Sequence, residues 1–204
     1  MRRLKLIVLI MTFCSFFEVQ IGLAQQTSTP VAAGPEPALC TLSAPTIDEL
    51  QTLMQNPELL VAQTPTPLPD PFEMPRGFAL FDDERLEVEK DLIRAVACFN
   101  TGNPLAVFST YTDRYVFQIV TNLGGLDPDV IDGLTTIRRL DEEEYIRLLS
   151  IDDMVLLGDG RVAVLATGYN PIDELPPGPR LFYLEEVLPG RWLIDEVIEM
   201  AEDQ

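Results

Sequence analysis

The stretch MVLLGDGRVAVLATGY, residues 154–169, decides the fold. Two apolar runs, Met154–Leu157 and Arg161–Tyr169, flank Asp159-Gly160, a dipeptide suited to the positive-φ positions of a two-residue hairpin turn. Downstream the pattern repeats: Arg180–Leu188 and Arg191–Glu199 flank Pro189-Gly190, another tight-turn pair. In the last run Trp192, Ile194 and Ile198 fall on one face at the two-residue period of a strand. The chain therefore ends in antiparallel hairpins.

Upstream the period is helical. Asp82 to Asn100 reads as a long helix with Leu86, Leu92/Ile93, Val96 and Phe99 as its apolar stripe. Asp82, Asp83 and Glu84 suit the positive end of its dipole, and Gly102 is a natural stop. Asn103-Pro104 caps and starts a second helix, Leu105 to Thr112. Tyr115–Val120 is strand-like, Leu123–Arg139 reads as irregular, and Asp141–Leu149 as a third helix. Helices first and hairpins last predict an α+β domain over 79–204, a curved antiparallel sheet wrapped around the long helix.

The N-terminal third has a different character. Arg2, Arg3 and Lys5 precede an uncharged run to Phe17, and Gly22-Leu23-Ala24 supplies small residues for cleavage after Ala24. That is the pattern of a secretory signal peptide over 1–24, and the run is short for a membrane span. Residues 25–78 hold ten of the 17 prolines. They read as a tail and linker with one short helix near 46–55, opened by Pro45-Thr46 and ended by Asn56-Pro57.

The whole chain carries a formal charge of −19, and removal of residues 1–24 leaves 11 basic against 32 acidic residues. Such a chain repels phosphate backbones and anionic lipid, so neither nucleic acid nor, after cleavage, a membrane is an expected partner. The sequence contains no histidine, which removes Ser-His-Asp and Cys-His catalysis and histidine-based zinc sites. Cys14 leaves with the signal peptide, so Cys40 and Cys98 remain. Export favours a disulfide between them, which would fix the short helix as a lid or flank on the domain. The competing reading keeps Cys98 reduced in the core beside Phe99.

Three motifs dissolve on inspection. Gly158-x-Gly160-x-x-Ala163 resembles a dinucleotide fingerprint, but that motif needs a helix after it and Val162–Leu165 is a strand. Asp127-Pro128-Asp129-Val130-Ile131-Asp132-Gly133 hints at a calcium loop, yet its third acid is one position late and Arg138 stands where a bidentate Glu belongs. Asp152-Asp153, Glu185-Glu186 and the run Asp141–Glu144 read as solvated acidic faces. No cofactor or metal is expected.

One resemblance runs through residues 80–200. Arg94-Ala95-Val96-Ala97-Cys98-Phe99-Asn100-Thr101-Gly102-Asn103-Pro104-Leu105 resembles the first helix and turn of the nuclear transport factor 2-like (cystatin-like) superfamily. Tyr111-Thr112-Asp113 fills the slot of its Tyr-x-Asp. Leu157-Gly158-Asp159-Gly160-Arg161-Val162 is similar to a hairpin of exported bacterial members, and Gly190-Arg191-Trp192-Leu193-Ile194-Asp195-Glu196 to the closing strand. The resemblance implies a cone-shaped sheet around the long helix, with a pocket inside. In the isomerase branch a tyrosine donates to the oxyanion and an aspartate abstracts the proton. Here Ala95 and Ile119 fall at those positions and can do neither, so no catalytic residue is assigned. The resemblance then implies a non-catalytic domain that holds a small apolar ligand or pairs through its sheet as a homodimer. Phe108, Tyr111, Phe117, Phe182, Tyr183 and Trp192 are the aromatics expected to line its interior. The alternative is a small isomerase or dehydratase with an altered acid–base set such as Tyr111 and Asp195.

Overall fold

Asp159-Gly160 turns the chain as its sequence predicts. Gly160 has φ +89°, its N–H donates to Leu157 O at 3.1 Å, and Leu157 N–H donates to Arg161 O at 2.8 Å. The turn joins β1 (Arg147–Leu156) to β2 (Val162–Tyr169), and a turn at Gly190 joins β3 (Gly178–Leu188) to β4 (Arg191–Glu199). The strands form one antiparallel sheet in the order β1-β2-β3-β4. These features belong to a computed structural model that describes residues 34–56, 58–61, 74–171 and 177–199. The segment read as a signal peptide, the start of the tail and residues 62–73 of the proline-rich linker lie outside the described residues.

Helices precede the sheet, which makes the domain α+β. They are α1 (Ile47–Met54), α2 (Glu58–Val61), α3 (Asp82–Asn100), α4 (Pro104–Phe108), α5 (Asp113–Asn122) and α6 (Pro128–Thr135). Among the described residues no helix is long and apolar enough to cross a membrane.

α3 has the bounds read from the sequence, but a different stripe faces inward. Val88, Leu92 and Ala95 pack on Met154, Val162, Val164, Leu184, Trp192 and Ile194, whereas Leu86 is 64% exposed. Each fully buried aliphatic side chain there contributes about 1.5–3 kcal/mol. Asp91 fastens the helix to the sheet, accepting from the Trp192 backbone N–H at 2.8 Å and pairing with Arg94.

Four expectations are corrected. Tyr115–Val120 is not a strand but part of α5. Thr112 caps that helix by accepting from Tyr115 N–H, and Val116, Phe117 and Val120 are buried at helical spacing. The second helix stops at Phe108, because Thr110 and Thr112 instead exchange backbone hydrogen bonds with Ile194 of β4, each 2.9 Å. The 123–139 segment contains α6, whose Asp127 N-cap accepts from Val130 N–H at 2.9 Å and whose Pro128 takes the first helical position. Asp141–Leu149 is no helix: Glu142–Glu144 makes one 3-10 turn and the chain then enters β1.

That entry is set from α3. Asn100, 2% exposed, accepts from Ile146 N–H at 2.8 Å. Its amide donates to Ile146 O at 3.1 Å and to Pro35 O at 2.9 Å. The last contact belongs to a strap, residues 34–56, that is also bonded to α3 by the Cys40–Cys98 disulfide, with Cα atoms 4.7 Å apart. The strap carries α1, closed by a Thr46/Glu49 capping box. Leu50 of α1 packs with Phe108, Val116, Val120 and Leu134 in a second cluster.

Candidate functional site

A cavity of about 290 Å³ lies between α3 and the sheet. Strand alternation builds its floor. Ala166 of β2 pairs with Arg180 of β3, which in turn pairs with Glu199 of β4. Two residues along, Phe182 pairs with Val164 and so shares that face. Ile194 and Val197 of β4 complete the floor, and Leu92, Ala95, Val96 and Phe99 of α3 roof it. Val96 and Phe99, read from the sequence as core stripe, line this space instead.

The polar groups at the cavity are few. Tyr111, Tyr115, Asn170 and Arg180 line it, and no Asp or Glu does so among the described residues. Tyr111 and Tyr115 meet edge-on, ring centroids 5.0 Å apart. Burial, then the neighbouring Tyr115, pushes the Tyr111 phenol far above its ordinary range, so it presents a neutral hydroxyl. Next to Arg180 the sheet pairs Gly168 with Gly178. A Cβ on Gly168 would stand 3.9 Å from Nη1 of Arg180. The Arg180 guanidinium therefore packs over Gly168, at the edge of the cavity.

A second cavity, about 630 Å³, lies between the strap and the body. Leu50 and Leu53 of α1 face Phe108, Tyr111, Val116 and Arg191 across it. Tyr111 thus lines both spaces and stands between them.

Asp195 lies elsewhere. It is the extra residue of a β-bulge: Ile194 pairs with Leu184 and Glu196 with Tyr183, which leaves Asp195 unopposed and re-aimed. Its carboxylate, 2% exposed, accepts from Thr112 Oγ1 at 2.8 Å, from Arg114 Nε at 3.0 Å and from Arg161 Nη1 at 3.3 Å. Arg161 also pairs with Asp159 and lies 5.1 Å from the centre of the Tyr183 ring. Two guanidiniums and a hydroxyl hold this carboxylate in place. Asp195 borders a groove with Arg114, Asp159 and Arg161, whereas Tyr111 lines the other two cavities.

Of the six aromatics expected at an interior site, the structure brings Tyr111 and Phe182 together at the α3 cavity. Phe108 lines the strap cavity. Trp192 is buried in the core beneath α3, and Phe117 is buried on α5. Tyr183 lies on the opposite face of the sheet, clustered with Ala163 and Leu181. Arg180, Asn170 and Tyr115 were not anticipated. Arg180 had a legible signal, since it stands two residues from Phe182 on the same strand and must share its face.

Among the described residues, no group of three or more Cys, Asp or Glu side chains is arranged to hold a metal ion. No protein-family model matches the chain, and no similar curated protein or solved structure is found.

Proposed function

We propose that this chain is an exported ligand-binding domain of nuclear transport factor 2-like design, in which a cone-shaped sheet and α3 enclose a small apolar ligand. The observation that carries the reading is the α3 cavity. It has aliphatic and aromatic walls, a few converging polar groups and no lining acid, the usual make-up of a small-molecule site. Its volume, about 290 Å³, is at the small end of such sites. The Cys40–Cys98 disulfide supports an oxidising, extracytoplasmic setting. Binding without turnover fits the placement of Tyr111 and Asp195 at different cavities.

The test is binding of 1-aminonaphthalene, a neutral, largely apolar fluorophore small enough for a cavity of about 290 Å³. Its emission is expected to rise with the protein and to fall back in Ala95→Phe, which fills the roof. Equal enhancement by wild type and Ala95→Phe would place the probe elsewhere and overturn the reading.

A further inference from the structure

We infer that the strap cavity is a second binding site, for a dipeptide with free termini and two large apolar side chains, its carboxylate on Arg191 and its ammonium on Asp113. This site is separate from the α3 cavity and does not depend on the reading given to that cavity.

Among the described residues, the charged side chains lining this cavity are Arg191, Asp113 and Glu49. Glu49 is committed to the cap of α1, accepting from the Thr46 N–H at 2.7 Å and the Thr46 hydroxyl at 2.9 Å. Arg191 and Asp113 are not committed. Among the described residues neither side chain makes a hydrogen bond or an ion pair, and the buried Nε of Arg191 has no acceptor. A buried N–H without a partner is rare in native proteins. Opposite charges thus line one space without pairing with each other. With one cation against two anions, a purely anionic ligand meets net repulsion, whereas a zwitterion brings a partner for each uncommitted charge. A carboxylate takes two N–H groups of the rigid guanidinium fork, and such charge-assisted bonds are about twice as strong as neutral ones.

Size and surface select the rest of the ligand. Leu50 and Leu53 on the strap and Phe108, Val116 and Leu193 on the body give the cavity apolar walls, which suit leucine-sized side chains. Ser109 also lines it. Its Oγ donates to Ala106 O at 2.6 Å and keeps lone pairs that can accept from a peptide N–H. Allowing about 30 Å³ for each water-sized group, 630 Å³ holds roughly 20 non-hydrogen atoms, the size of two large residues rather than one.

The experiment is calorimetry with leucyl-leucine, its N-acetyl form and its C-terminal amide, at about pH 6.5, where both free termini are charged, and at physiological ionic strength. The protein keeps its disulfide. Leucyl-leucine is expected to bind at least tenfold more tightly than either blocked form, and more tightly than free leucine. In Arg191→Met the advantage over the amide should fall below twofold while the advantage over the N-acetyl form persists. In Asp113→Asn the pattern should reverse. The advantage that persists reports that the variant is folded, and the wild-type ratios stand as evidence whatever the variants do. Equal binding of free and blocked dipeptides, no binding of leucyl-leucine, or equal losses of both advantages in each variant would overturn the proposal. Binding of 1-aminonaphthalene in the α3 cavity is unaffected by any of these outcomes.

Discussion

Asp195 lies midway along β4 and Tyr111 bridges the neighbouring Ile194, and the structure uses their polar side chains in opposite ways. The Asp195 carboxylate is buried beneath Arg114 and Arg161, whose side chains are 21% and 17% exposed. Removing one partner of such a pair leaves uncompensated buried charge and costs about 3–5 kcal/mol. Asp195→Ala is expected to destabilise by that amount in urea denaturation, followed by the emission of the single tryptophan, Trp192, which is buried against α3. Arg138–Glu144 is the control: with Arg138 60% exposed, Arg138→Ala should cost less than about 1 kcal/mol. Tyr111 carries a proton that folding retains. Burial holds its phenol above the ordinary value of 10.0, so the folded state binds the proton more tightly than the unfolded chain. The resulting stability is complete below pH 10 and is lost as pH rises beyond it, by at most about 1.4 kcal/mol per pH unit. In Tyr111→Phe the decline in unfolding free energy between pH 10 and 11.5 should be shallower than in wild type. Parallel declines would show that another group carries the alkaline loss.

At the scale of elements, legibility followed local chemistry. The bounds of α3 and both hairpin turns were readable, because a first turn of acids, a stop at Gly102 and glycines at Gly160 and Gly190 act within a few residues. The end of β1 was legible from Met154, but its start was not, for a specific reason. Leu149 and Asp152 are bulge residues without partners on β2, and they place Leu148, Ile151 and Met154 on one face. Two bulges turn a period of two into a period of three, which hides the strand, while the acids of Asp141–Glu144 suit a helical first turn and favour the helix reading of Asp141–Leu149. Tyr111 and Phe182 were legible at the cavity, since large aromatics seek interiors. The position of Tyr183 was not, because both faces of the sheet bury apolar groups and aromatic character cannot tell them apart. Two glycines separate turn chemistry from tertiary packing. Gly160 has positive φ and open space around a Cβ, whereas a Cβ on Gly102 would stand 1.6 Å from Arg138 O. Gly160→Ala should cost about 1 kcal/mol of backbone strain. Gly102→Ala must also push the 136–140 segment off the end of α3 and break the bond from Arg138 N–H to Gly102 O, 2.9 Å long. A loss clearly larger than that of Gly160→Ala is expected by thermal denaturation, and equal losses would show that the α3 turn yields easily.

Across the whole molecule the disulfide decides whether the strap belongs to the domain. Cys40 and Cys98 are separated by 58 positions, a loop that includes α1, α2 and most of α3. Apart from this bond, the strap holds to the body by contacts that include Asn100 with Pro35 and the packing of Leu50, with Ile47, Leu53 and Met54 beside it, on the α4–α6 cluster. Those contacts must offset a chain entropy of about 1–2 kcal/mol for each ordered residue. Closing a loop of this size restricts the unfolded chain by about 4 kcal/mol in the chain-entropy view. The pair Cys40→Ser with Cys98→Ala is therefore expected to lose stability of that order, a reduction of roughly tenfold for each 1.4 kcal/mol in the folding equilibrium. Its effect should also be uneven. Leu50 and Leu53 wall the strap cavity, whereas the α3 cavity is built without any strap residue. Amide exchange in the double variant should accelerate first over Ile47–Met54, with α3 and β2–β4 still protected, and binding in the α3 cavity should persist under native conditions. Uniform acceleration over strap and sheet would show instead that the strap is an integral part of one cooperative core, and that the bond does more than tether it.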